Sequence, residues 1–124
     1  MTDKTTIEKT LTEGWDTLAI ARTILMQLGG KRFIAMTGAS SFSSGMFEAG
    51  PGLSFRLPTK STKDRIMGVR IVLTPADLYT VEFLRLGKDA EGLTAVEVVS
   101  KSEGVYCDML ADVFEEATGL YTSL

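Results

Sequence analysis

Nine basic residues between Gly29 and Lys88 are the side chains whose type and clustering offer most chemistry: Lys31, Arg32, Arg56, Lys60, Lys63, Arg65, Arg70, Arg85 and Lys88. Four acids accompany them (Glu48, Asp64, Asp77 and Glu82), so this stretch carries +5. The remainder holds four basic and twelve acidic residues, −8, which brings the chain to its net −3. Clustered guanidinium and ammonium groups pair with phosphates, the main source of nucleic-acid affinity. The sequence pI near 4.9 opposes strong non-specific binding, but a local patch can still act.

Other chemistries are poorly supplied. Histidine is absent. That removes the commonest general base and metal ligand, the usual triads and zinc motifs of the His-Glu-x-x-His type. Lys31 follows Gly29-Gly30, but the preceding residues read as helix and no Gly-x4-Gly-Lys-Ser/Thr occurs. Asp108 and Asp112 stand one helical turn apart without the oxygen ligands that complete a cation cage. No catalytic residue, cofactor or metal is therefore assigned. Cys107 is the single cysteine. It allows no intrachain disulfide, fits a reducing compartment, and with no histidine to activate it reads as a packing residue.

These side chains need a scaffold. A chain of 124 residues, 44% hydrophobic and 23% charged, fits one domain over 1–124 with one core. No apolar run approaches the ~20 residues that span a bilayer, and Met1 to Thr6 lacks signal-peptide order. The expectation is a cytoplasmic protein without a membrane partner.

Residues 5–28 read as an amphipathic helix, with Ile7, Leu11, Trp15, Leu18, Ala21, Leu25 and Leu28 at three- and four-residue steps. Thr5 with Glu8, or Thr10 with Glu13, has capping-box spacing, and Gly29-Gly30 ends the helix. Strands are expected at Lys31 to Thr37, Leu53 to Leu57, Arg65 to Leu73, Tyr79 to Leu86 and Leu93 to Ser100, from period-two patterns rich in Val, Ile, Phe and Tyr. Val96 and Val98 are assigned to the inner face of the last. Thr74-Pro75-Ala76-Asp77 is a turn, and Gly87 to Gly92 a loop. A final helix runs from Glu103 to Ala117, N-capped by Ser102 and closed by Gly119 and Leu120. Its buried stripe is Tyr106, Met109, Leu110, Val113 and Ala117, with Phe114 at the edge.

The predicted fold is α+β: a four- or five-stranded, mostly antiparallel sheet with an N-terminal and a C-terminal helix packed on one face. Residues 38–52, with four serines, four glycines and a proline, read as one irregular loop.

Period two then defines the candidate sites. With Phe33, Phe55, Val69 and Ile71 facing the helices, Arg32, Arg56 and Arg70 emerge together on the other face. Lys31, Lys60 and Lys63 extend this nucleic-acid candidate. Ile34, Met36, Ile66 and Val72 share the same face, which predicts a homo-oligomer. In the irregular loop, Phe42, Met46 and Phe47 are candidates for packing back or for holding a partner. Thr37 to Gly45 is a weak anion cradle. The acids Glu103, Asp108, Asp112, Glu115 and Glu116 read as a solvated face more readily than as a phosphate mimic.

Several segments carry a resemblance: Gly-Gly-Lys-Arg-Phe-Ile-Ala-Met-Thr-Gly-Ala at 29–39, Leu-Ser-Phe-Arg-Leu-Pro at 53–58, Val-Arg-Ile-Val-Leu at 69–73, and Glu-Gly-Val-Tyr through Thr-Gly-Leu-Tyr-Thr-Ser-Leu at 103–124. They resemble a group of short proteins of tailed phages and bacterial mobile elements, from about Thr23 onward. That group has no established activity. The resemblance implies an accessory role, on phage or plasmid DNA or on a host factor, in the cytoplasm of the bacterial host.

Three functions follow in order. First is a non-enzymatic accessory protein that binds nucleic acid through the basic sheet face. Second is a protein-binding inhibitor or adaptor acting on a host factor. Third is a small carboxylate-based enzyme.

Overall fold

A computed structural model describes residues 17–48, 50–58 and 62–122. The proposed helix start at Thr5 to Glu13, Trp15 and Lys60 lie outside the described residues. Helix α1 covers residues 17–28 and buries Ala21, Ile24 and Leu28 at helical spacing. Its end is a Schellman turn: the Gly30 amide donates to the Leu25 carbonyl at 2.9 Å and the Gly29 amide to Met26 at 3.1 Å.

Lys31–Thr37 is not a strand. It forms helix α2 and buries Phe33 and Thr37, one turn apart. Glycines on both sides explain the change. The Schellman turn starts the helix afresh, and Gly38 at φ 73° closes it, its amide donating a hydrogen bond to the Ile34 carbonyl at 2.9 Å. Seven residues containing Phe33, Ile34 and Met36 satisfy period two and period 3.6 alike, so packing decides.

The 38–52 stretch is corrected as well. Ser40–Phe47 is strand β1 and Gly50–Arg56 is strand β2, paired antiparallel as a hairpin. β1 lies at the sheet edge, so its exposed positions need no apolar residues and the sequence carries little strand signal. The glycines of β2 have a steric purpose. A Cβ on Gly52 falls 2.2 Å from the Ile71 carbonyl oxygen, and one on Gly50 falls 2.2 Å from that of Leu73.

The sheet continues through β3 (Gly68–Leu73), β4 (Tyr79–Lys88) and β5 (Thr94–Val105). Spatial order follows chain order and every pairing is antiparallel. Phe55, Val69 and Ile71 enter the core as expected, and Tyr79, Val81 and Phe83 join them from β4. The turn at Thr74 also forms, with the Asp77 amide on the Thr74 carbonyl at 2.9 Å.

The last strand differs from expectation. Val96 and Val98 stand opposite Leu86 and Leu84, on the side away from the helices. A register shift between Phe83 and Leu84 adds a residue to β5, so strand parity reverses at Val99. Strand pairing then runs on to Val105 and takes up Ser102 and Glu103.

The final helix consequently starts later. A 3-10 turn at Cys107–Met109 leads into α3 (Leu110–Thr118). Leu110, Phe114 and Thr118 form its buried line, while Tyr106 and Met109 are exposed. Gly119 at φ 77° caps it as predicted.

Among the described residues three helices contribute to one core on one face of the sheet, which establishes the α+β architecture. At its centre Phe33 meets Phe114 edge-on at 5.0 Å and Phe55 at 5.5 Å. Ile66 is buried in that core, not on the outer face.

Candidate interaction surfaces

The basic residues do not share a face. Lys31 and Arg32 are exposed on α2. Lys63 lies on a 3-10 turn (Lys63–Arg65), where its Nζ donates to the Glu116 carbonyl at 3.1 Å and ties that turn to the end of α3. Arg56 and Arg70 do remain on the outer face, by the pairing of their strands. Arg70, however, is engaged. Its Nη1 donates to Glu82 Oε1 at 3.3 Å, and its guanidinium lies 5.1 Å over the Phe47 ring. The common arginine surface predicted from strand parity is therefore absent, because one of its three members is on a helix and another is ion-paired.

The partner-loop candidates also separate. Phe42 packs on Phe55 with centroids 5.3 Å apart. Phe47 is half-buried beneath Arg70, on a concavity whose lining includes Val72, Thr80, Glu82 and Lys101. Met46 alone is largely exposed, at 61%. Thr37 to Gly45 is a helix end and a strand, not a loop that could wrap an anion.

Of the four apolar residues proposed for self-association, Ile34 and Met36 are on α2, Ile66 is internal, and Val72 is buried on the outer face. A different apolar group occupies that face. Leu86 (55% exposed), Val96 (58%) and Val98 (50%) form adjacent cross-strand positions on the β4–β5 hairpin. The alternation in β4 already sets Leu84 opposite Phe83. What concealed the patch was the reversed parity of Val96 and Val98.

The acids of the C-terminal segment are partly committed. Glu103 pairs with Lys101 at 3.3 Å, and Glu115 Oε2 accepts from the Thr122 amide and hydroxyl at 2.8 and 3.0 Å. Among the described residues no three Cys, Asp or Glu side chains converge as a metal site.

Cys107 is exposed rather than packed, since β5 ends at Val105 and the 3-10 turn carries its thiol outward. It borders a groove of about 550 Å³ with Ile20, Gln27, Leu73, Asp77 and Tyr79. In this groove the Tyr79 hydroxyl donates to Gln27 Oε1 at 2.8 Å. Burial raises the Tyr79 pKa above 10.0, and the bond to Gln27 offsets part of that rise.

No protein-family model, curated protein or solved structure matches this chain.

Proposed function

We propose that this chain is a non-enzymatic binding protein that engages another protein through the outer face of the β4–β5 hairpin. The observation that carries the reading is the contiguous row of Leu86, Val96 and Val98, each at least half exposed. Burying a Leu or Val fully contributes roughly 1.5–3 kcal/mol, so covering these three half-exposed side chains contributes on the order of 2–5 kcal/mol. Charged groups border the row: Lys88 towards the hairpin tip, Glu82 and Lys101 towards its base. An apolar centre inside a polar rim is the common anatomy of a protein interface.

This makes the inhibitor or adaptor role the leading one and agrees with the accessory role implied by the phage-group resemblance. Nucleic-acid binding loses its main support with the scattering of Arg32, Arg56 and Arg70. The test is capture of proteins from a bacterial lysate by the immobilised chain, beside a Leu86→Asp, Val96→Asp double variant. A stoichiometric partner held by the wild type and lost from the variant supports the reading. Equal capture by both proteins rejects the surface.

A further inference from the structure

The two edges of the sheet are unlike. β5 is long but irregular, with register shifts opposite Tyr79/Val81 and Phe83/Leu84 and a positive φ of 66° at Gly104. Glu97, Lys101 and Glu103 add charge along it. Bulges and charges of this kind obstruct pairing with another chain. β1 carries one shift, between Ser40 and Ser43 with Ser41 at φ 55°, but from Ser43 to Phe47 it has neither bulge nor charge. Its residues are Ser, Ser, Gly, Met and Phe, and they pair with Ser54 to Gly50 without a shift. Ser43, Ser44 and Met46 are exposed.

We propose that β1 pairs antiparallel with β1 of a second copy, so that two five-stranded sheets continue as one across a two-fold axis. Apolar pattern and charge both suit self-pairing. Ser44 and Met46 stand opposite Leu53 and Pro51 on the helix side of the strand, and Phe42 packs on Phe55 on that side. With Ser44 on the axis, Met46 of each copy lies opposite Phe42 of the other. There it closes a groove of about 210 Å³ that Leu18, Ala21, Leu25, Phe42 and Leu53 line between α1 and β1. The uncharged 43–47 run brings no like charges together.

The ends of the hairpin supply the complementary charge. Glu48 follows β1, whereas Arg56 ends β2 opposite Ser40. The two are about 20 Å apart along the strands, too far to meet within one copy. Antiparallel pairing of β1 brings Glu48 of one copy to the Ser40 end of the other, beside Arg56. Both side chains are exposed, and neither makes an ion pair among the described residues. Two-fold symmetry makes the contact twice.

Sedimentation equilibrium of the full chain tests the proposal. The wild type dimerises with a Kd in roughly the micromolar range. Arg56→Glu and Glu48→Arg each raise that Kd about tenfold by setting like charges at two contacts. The combined reversal restores it to within about threefold. Circular dichroism checks that each variant keeps its fold, and Ser44→Asp, which opposes two carboxylates at the axis, weakens the dimer independently. A wild type that stays monomeric, a dimer indifferent to these changes, or a double reversal no better than the single ones overturns the proposal. Leu86→Asp with Val96→Asp leaves this dimer intact, which separates it from the hairpin reading.

Discussion

Arg70 on β3 and Glu82 on β4 are directly opposed on the outer face, joined by a 3.3 Å charge-assisted hydrogen bond above the Phe47 ring. Lys101 stands opposite Glu82 on its other side, so the three strands carry a basic–acidic–basic row. Arg70 is thus a strut between strands, not a free phosphate ligand. Its side chain retains 35% exposure and that of Glu82 only 18%. Arg70→Ala leaves a mostly buried carboxylate with less compensation and should cost about 1–2 kcal/mol in urea denaturation. A double-mutant cycle with Glu82→Gln should recover a coupling of about 0.5–1 kcal/mol.

Gly52→Ala probes the tight contact between β2 and β3. The new methyl falls 2.2 Å from the Ile71 carbonyl oxygen and 2.9 Å from the Val72 Cα, both backbone atoms that move only with the sheet. A loss of at least about 2 kcal/mol is expected. Gly92→Ala meets no atom within 4 Å, although its φ of 81° still carries backbone strain, so the smaller loss belongs there. Chemical denaturation of the two variants side by side gives the comparison.

Removing apolar side chains from the two faces of one hairpin should have separable consequences. Phe83→Ala empties a site of zero exposure and should cost about 3–5 kcal/mol. Val96→Ala, on the exposed face, should change stability by less than about 0.5 kcal/mol while weakening partner capture. Thermal melts and the lysate assay read the two effects separately.

Tyr79 gives the fold an alkaline limit. Burial raises its pKa above the 10.0 of an unperturbed phenol. The unfolded chain therefore ionises first as pH climbs, and proton linkage favours unfolding there. The stability is fully present below pH 10 and is lost as pH rises through the folded-state value. Tyr79→Phe should flatten this decline, at the cost of about 1 kcal/mol near neutrality from the lost bond to Gln27. Denaturation midpoints from neutral pH to above pH 10 test the sign.

Cys107 should react stoichiometrically with a thiol reagent in the folded protein, because its side chain is exposed on the 3-10 turn. Labelling that requires denaturant would contradict the observed placement. An aromatic adduct at this position also reports on the neighbouring groove, through the emission of a fluorescent label when ligands are added.

Residues with one unambiguous local role were readable from the chain. The Gly29-Gly30 stop, the Gly119 cap, the Thr74 turn and the inward set of Phe55, Val69 and Ile71 each follow from backbone sterics or strict alternation. So did the α+β class and the helices on one face. Lys31–Thr37 was less decidable, since its short apolar pattern fits two periods and the contact of Phe33 with Phe55 and Phe114 selects the helix. The candidate surface was least legible. A single extra residue near Val99 turns Val96 and Val98 outward, and period-two reasoning has no means to count an unseen bulge.

By itself the sequence determined where the backbone must turn and which residues are too apolar to stay in water, because these are properties of single residues and their near neighbours. Only the tertiary structure decided which way each half-polar strand faces. That choice depends on register with the adjacent strand, and one inserted residue moves every following side chain to the opposite side. Register brought Leu86, Val96 and Val98 together, and the packing of Phe33 that makes Lys31–Thr37 a helix separated Arg32 from Arg56 and Arg70.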